Sequence, residues 1–599
     1  MAVFNVSKMD FARRVVHGLV LVVVALWWAG CAGSQPFTLE PVKTFDPDNR
    51  PIEPPEAIEQ NMYWDRIDLS VFHQVEKPLN LNWTGRQIGR VIGVAGAKQA
   101  DNVNMRDEPP NSSWYERRHF YDPMTPEELA RGPNPEQGVG PDTSGTWTIW
   151  QGKSVGAASG FFIEDAQGDR FLIKLDKPAY PELASSAEVI STKIYYGAGY
   201  HVPQNSITYF DPGQLEIGEE ATIEDNGTER RMTRDDVRRV LANVPRTESG
   251  KIRGMASRFV RGTVLGPWNY RGRRSDDPND RVRHEHRREL RGLRVISSWL
   301  NDTDRRAANT LAVYTDDRYV KHYLQDMGST LGANTGSPHR PIHGQAYMID
   351  QRKITQAWLS FGSYRFPWWD YEHTIPYPSV GYWRADVFDP GDWVPTYPNP
   401  AFEKMTLRDA FWGAKMVMSF RDEDLEAIVE SARMTNPEAE AYLLEVLKQR
   451  RDKVGRYWFS RINPLDRFRI MEYQTPEIAS AQSADRPQIR QSLIFDDLVV
   501  EGDLESAEAS RYVYSVAHEG RTWTRQTTSK PSIALRAPSD VSVVQYLNQN
   551  GFEADDERVI RIQIRTRRGD DALSKFVRVY VHYPADGAPP RIAGIEREE

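Results

Sequence analysis

Cysteine is almost missing from this chain: Cys31 is the only one in 599 residues. A single thiol forms no intrachain disulfide and builds no thiolate zinc site. Basic excess is missing too, with 76 Lys and Arg against 84 Asp and Glu, a formal charge of −8. That acidic balance argues against nucleic acid as a partner, since such binders need a basic face to displace counterions from phosphate. No repeat of 20–50 residues is evident. No Ser-His-Asp set is identifiable among the serines and histidines. His284-Glu285-His286 lacks the His-Glu-x-x-His spacing that puts two ligands on one helix face. The chain is nonetheless 39% hydrophobic and 11% aromatic, enough for large cores and too much for wholesale disorder. At about 150 residues per domain the length suggests two to four.

The lone cysteine sits in a telling place. Lys8, Arg13 and Arg14 precede an apolar run from Gly18 to Trp28, and Ala29-Gly30 leads into Cys31-Ala32-Gly33. A basic start, a short apolar stretch and small residues before a cut describe a bacterial secretory signal. The small residues before Cys31 resemble a lipoprotein signal, with Trp28 where that box usually has Leu. The resemblance implies lipidation, such as palmitate, at Cys31 and a protein anchored in the cell envelope, at the outer membrane facing the periplasm. An uncleaved span over residues 15–34 is the alternative, since about 20 uncharged residues approach bilayer thickness. Removing residues 1–30 takes away three basic groups and one acid, leaving the mature charge near −10.

Composition divides the chain beyond the signal. Residues 31–62 are Pro- and acid-rich and read as a solvated tether, and 63–140 as irregular chain wrapped on a neighbour. Order sharpens at Thr146-Trp-Thr-Ile-Trp150, an alternating strand. A loop with Gly152, Gly156 and Gly160 comes next, then strands at 161–165 and 170–176 joined through Gly168. Residues 181–196 have helical spacing, with Ala184, Ala187, Ile190 and Ile194 on one face. A polar stretch leads to strands at 256–260 and 263–265, a helix over 285–300, and a strand pair at 311–314 and 320–324. Helices starting at Thr406, Asp422 and Asn436 fill 405–455. β-branched runs at 512–514, 560–564 and 576–582 predict a small C-terminal β domain.

The middle of the chain thus offers, in order, a Gly-rich loop, a strand lysine (Lys174) and a helix glutamate (Glu188). Asp304 comes later, five residues before Asn309, and then Asp326 in Asp-Met-Gly. Glycines let backbone N–H groups approach phosphate oxygens. A lysine supplies charge to them, and aspartate and asparagine oxygens suit a hard divalent ion. Singly, each has a plain structural role: an exposed strand lysine, a solvated helix glutamate, or loop-capping Asp and Asn.

Together, in this order and on these elements, they resemble the protein-kinase-like fold. The likeness is to atypical bacterial kinases of the spore-coat and toxin–antitoxin kinds more than to eukaryotic ones. It covers 146–335 well and the helical part to about 455 loosely. The chain also looks like a group of uncharacterised bacterial secreted proteins sharing His284-Glu-His-Arg-Arg-Glu-Leu-Arg-Gly-Leu293 and Gly328-Ser-Thr-Leu-Gly332. It departs from the kinase pattern in its wider glycine spacing. It also has no His-Arg before Asp304 and no Ala-Pro-Glu after Asp326.

The resemblance implies an α+β chain: a two-lobed kinase-like core over 141–455 and a β-sandwich-like domain over 456–599. It implies ATP and Mg²⁺ as cofactors, with Gly152, Gly156, Gly160 and Lys174 at the nucleotide and Asn309 and Asp326 at the metal. Lys174, Glu188 and Asp304 would be catalytic, with Asp304 the base for transfer to a protein or glycan hydroxyl. The alternative is an inactive envelope scaffold that binds glycan or protein through the aromatic segment 358–402 or the C-terminal β domain. That aromatic segment itself reads as a packed covering loop, Asp276–Asp280 as an acidic surface turn, and 284–286 as a solvated helix start.

Overall fold

The computed structural model describes residues 37–58, 98–153, 159–225, 228–474, 489–538 and 541–599. The signal segment, Cys31, residues 63–97 and Gly156 lie outside them. The fold mixes α and β, with one large mixed sheet and several smaller ones.

The large sheet begins where alternation predicts. β1 (Trp147–Lys153), β2 (Gly160–Glu164) and β3 (Arg170–Lys174) form an antiparallel meander. Trp147, Ile149, Phe161, Ile163, Phe171 and Ile173 are buried on one face. Period two turns Phe162, Leu172 and Lys174 to the other. Gly152 and Gly160 lie in the strands rather than in the loop between them, a correction to the loop assignment.

After β3 comes α2; α1 (Pro126–Arg131) precedes the sheet. α2 (Leu183–Gly197) packs Val189 against Ile207 and Met255 of the sheet. Ala187, Ile190 and Ile194 face the main helical core instead. A helix held on two sides is buried nearly all round; Ala184, expected on the buried stripe, is only half-buried.

The polar stretch to residue 250 hides four elements: β4 (Gln204–Phe210), β5 (Leu215–Asp225), β6 (Thr228–Arg231) and α3 (Arg234–Ala242). With β7 (Ile252–Arg258) they complete a sheet of order β4-β7-β3-β2-β1-β5-β6, in which only β1 and β5 run parallel. β5 and β6 escape sequence reading because strands near a sheet edge carry charge where a central strand carries apolar residues.

β8 (Thr263–Gly266), β9 (Thr310–Tyr314) and β10 (Val320–Leu324) form a second sheet of order β10-β9-β8. α4 (Arg288–Leu300) lies between β8 and β9 in the chain. It begins at Arg288 rather than Glu285, after a 3-10 turn at His284–His286. His284 is buried, with Nε2 2.7 Å from Asp280, and Asp277 and Asp280 are buried too. Neither the surface turn nor the solvated helix start is therefore found.

α5 (Gln351–Leu359) buries no residue. α6 (Leu407–Met418), α7 (Asp422–Glu430) and α8 (Pro437–Phe459) come after it, with Thr406 and Asn436 as side-chain N-caps. The aromatic segment divides. Trp383, Trp393 and Phe402 pack in the core, whereas Trp358 is 78% and Phe361 97% exposed, so only the second half covers anything.

From residue 465 the chain is β-rich. β11 (Leu465–Gln474), β12 (Ile489–Asp497) and β15 (Ser532–Leu535) form one sheet. β13 (Ser510–His518), β14 (Arg521–Thr528), β16 (Val559–Arg568), β17 (Val577–His582) and β18 (Arg591–Arg597) form another. Leu493 and Ile533 of the first share a buried cluster with Val516, Ile562 and Val579 of the second.

The supposed tether is docked over part of its length: Ile52 N donates to Arg318 O and Ile58 N to Leu265 O, each at 2.8 Å. Among the described residues no helix is long and apolar enough to cross a membrane.

The double burial of α2 encloses Lys193, which is 5% exposed. Burial, with Arg433 adding to it, pushes its ammonium down to about 7. The unfolded chain therefore binds more protons between pH 7 and the ordinary lysine range, and folding is disfavoured most below pH 7. Lys193→Met is expected to raise Tm by ~2 °C or more at pH 6, with the gain shrinking toward pH 10. Calorimetry across that range checks both.

Candidate functional site

The large sheet, α2 and the loop after β10 meet at three charges. Lys174 ends β3 and points to α2, where Glu188 Oε1 and Oε2 accept from Nζ at 2.8 and 2.9 Å. On another side Asp326 Oδ1 accepts from the same Nζ at 3.0 Å. Burial works against the charge on Lys174, but Asp326 and Glu188 outweigh it and hold the ammonium above its ordinary range. Lys174 and its charge depress the Asp326 carboxyl below the usual range. Glu188, deepest of the three, is pushed up by burial despite Lys174.

Asp326 holds its place through unusual backbone geometry. It comes just after β10 with φ of +56°, the left-handed region that a non-glycine residue occupies only when its surroundings impose it. Arg305 imposes it. That fully buried guanidinium donates to Gln325 O and Asp326 O, both at 3.0 Å, and to Asn309 O at 3.2 Å. Its Nε lies 2.9 Å from Asp302 Oδ2, which also accepts from Tyr195 OH at 2.7 Å. One side chain thus ties the Asp304–Asn309 loop to the Asp326 loop and, through Tyr195, to the helix of Glu188.

Asp304 and Asn309 are brought together. Asn309 Nδ2 donates to Asp304 O at 2.7 Å and to Asp304 Oδ2 at 3.0 Å, and Arg306 Nε approaches Oδ1 at 2.8 Å. This loop starts where Asn301, in a left-handed conformation, ends α4. Asn301 is fixed by Trp393 Nε1 at 2.8 Å, and His339 lies 3.2 Å from Thr303 Oγ1.

Two groups are not legible from spacing alone. Lys153 ends β1 opposite Gly160, and Gly160 lies opposite Lys174 on β3. The register puts both lysines on one row, about 10 Å apart across three strands, with no side chain between them. A Cβ on Gly160 would meet Ile173 O at 1.9 Å, so the position admits only glycine. Burial and then Lys174 lower the Lys153 ammonium, while Asp326 and Glu188 offset them. Beyond the lysines, Trp150 and Phe162 lie with ring centroids 5.1 Å apart, and Phe259 packs against both at 5.8 and 6.0 Å. Trp150 Nε1 is buried there without a hydrogen-bond partner among the described residues. Cross-strand register and a residue 97 positions on produce this platform, and no local motif marks it.

A divalent ion fits this site on the chemistry of its donors. The Asn309 amide oxygen and the second Asp326 oxygen are hard ligands, and two protein donors plus phosphate and water satisfy magnesium. Among the described residues no three His, Cys, Asp or Glu side chains gather to hold an ion by themselves.

No protein-family model matches the sequence, and no curated protein matches it. Among solved structures it is similar to the Helicobacter pylori proinflammatory kinase CtkA. The identity is 9% over 54% of this chain and 99% of that one, with a TM-score of 0.28. It is also similar to the Golgi casein kinase at 9% identity over 70% and 96%, TM-score 0.27. The same kinase with Mn/ADP bound gives 8% over 70% and 94%, TM-score 0.28. Likenesses at these TM-scores carry no weight for the chemistry, which this chain's own residues must supply.

Arg305 is a positioning residue. Arg305→Gln strands Asp302 and frees three carbonyls, and is expected to cost ~3 kcal/mol in urea unfolding. Arg305→Lys is expected to leave most of that loss, because one ammonium does not span the separate acceptors that a guanidinium fork reaches.

Proposed function

We propose that this chain has a two-lobed, kinase-like core that binds a nucleoside triphosphate with a divalent ion and transfers the terminal phosphoryl group to a hydroxyl. The observation that carries this is the row Lys153–Gly160–Lys174, closed by Glu188 and Asp326. It places two cations over a glycine where phosphate oxygens can approach. Glu188 fixes the Lys174 ammonium, and Trp150, Phe162 and Phe259 offer an aromatic surface to a base, with Trp150 Nε1 as an unspent donor. Magnesium, when bound, neutralises phosphate charge. Asn309 and Asp326 would hold it. Asp304, oriented by Asn309 and Arg306, takes the acceptor's proton as its oxygen bonds to phosphorus and the diphosphate leaves.

A second reading has an observation of its own. Among the described residues, the segment 348–369 holds half of the exposed large apolar side chains, including Ile354 and Trp358 one turn apart on α5 and Phe361 just after it. Such a surface suits a scaffold that grips protein or glycan without turnover, and an exported protein meets little ATP. The two readings separate in one experiment. ATP with Mg²⁺ is expected to raise Tm of the wild type by several degrees and not that of Asp326→Ala. Asp304→Asn is expected to keep the shift but slow transfer by ~10²–10⁴. No shift with any nucleotide sinks the first reading.

The membrane anchor belongs to the proposal too, on the strength of Ala29-Gly30-Cys31. Cys31→Ser is expected to move the protein from the membrane to the soluble fraction; retention there overturns the lipid anchor.

A further inference from the structure

A second concentration of positive charge lies away from Lys174. A cavity of about 470 Å³ opens between the end of α2, the start of β4, the crossing from β7 to β8, and β10. Among the described residues, Arg118, Arg258, Arg261 and Lys321 line it with His201, and no Asp or Glu does. In a chain of net charge −8, cations gathered around one hollow repel one another, and those without a carboxylate of their own are relieved by an anion that enters it.

The cations differ in how they are held. Arg118 is built in: it donates to Tyr196 O and Tyr200 O at 2.9 Å, stacks 4.0 Å over the Tyr196 ring and pairs with Glu116 at 2.5 Å. Arg258 pairs with Asp169 outside the cavity. Lys321 and Arg261 have no carboxylate partner among the described residues. Lys321 is lowered by burial, with Arg118 adding to it and Glu116 opposing. Burial, with Lys321 and Arg118 adding to it, pushes the His201 imidazole well below its ordinary range. Tyr196, Phe259 and Tyr323 supply ring surface around the charges.

We propose that this cavity is a binding site for a small phosphate-bearing molecule with an apolar or planar body. Lys321 and Arg261 meet the phosphate, Arg118 stands as a fixed donor behind them, and the rings take the body. The volume falls within the range of small-molecule sites. The cavity borders the aromatic platform through Phe259 but contains none of Lys174, Glu188 and Asp326, so its cations are separate from that set. It touches the elements that carry that set all the same. Tyr196 is on the helix of Glu188, and Tyr323 comes three residues before Asp326.

The test is calorimetric titration of the full-length protein with phenyl phosphate in EDTA, with phenol as the uncharged control. Wild type and Lys174→Met are expected to bind phenyl phosphate and not phenol. Lys321→Met and the exposed-site variant Arg261→Gln are each expected to weaken binding at least tenfold, with circular dichroism and Tm confirming the fold. Three outcomes overturn the proposal: no binding by wild type, unchanged affinity in both cavity variants, or loss of binding in Lys174→Met. The last places the probe in the cleft of the proposed nucleotide.

Discussion

A buried ammonium between two carboxylates is the constraint around which the rest of the molecule is arranged. Lys174, Glu188 and Asp326 come from a strand, a helix and a loop, and the buried charges of Lys174 and Glu188 compensate each other, with Asp326 closing the set from its exposed side. Removing one partner of such a cluster leaves an uncompensated charge in a poor dielectric, which costs more than the pair contributes. The sheet must therefore present β3 to α2, and β10 must deliver Asp326 to the same point. The left-handed turn at Asp326, the Arg305 fork and the contact of Tyr195 with Asp302 all hold that meeting.

A second set of buried charges performs the same task for the distal part of the chain. Asp107 receives Arg288 at 2.6 Å and Arg408 at 2.7 Å, while Arg288 Nε reaches Asp409 at 2.8 Å. Beside them Lys415 lies 2.8 Å from Asp466, and Arg597 Nη1 donates to Leu465 O at 2.8 Å. Irregular residues 104–108, α4, α6 and the first and last strands of the C-terminal sheets thus converge on ionic contacts where apolar packing alone would leave orientation loose. Residues 98–124 have little regular structure, yet they supply Asp107 and Glu108 to these neighbours.

Local periodicity made the meander, α2, the β9–β10 hairpin and the helix caps at Thr406 and Asn436 legible. The order of Lys174, Glu188, Asp304, Asn309 and Asp326 gave the chemistry its candidates. What sequence could not give was lateral information. Lys153 joins the site only through the pairing of β1 with β2, and Phe259 joins Trp150 only because the chain crosses from β7 at that point. Asp280 and His284 look solvated when counted as charges, yet they are buried because each satisfies the other. Trp358, on α5, and Phe361, just after it, look like core by composition, yet α5 buries none of its residues and both rings are exposed. Hydrophobicity and charge state a residue's preference; only its neighbours decide whether the preference is met.

The docked stretch near residue 52 gives the molecule a mechanical property. Its backbone is fastened to Arg318, in the turn that joins β9 to β10, and again to Leu265 on β8. In a chain anchored as proposed, a pull from the membrane side would first meet the contacts of Thr44, Asp46 and Asp48 with Asn111 and Ser113, and would load this sheet once those gave way. The strand at its edge, β10, runs directly into Asp326. Force and chemistry would then share a path, and the distance between anchor and body becomes a quantity to which the site can respond.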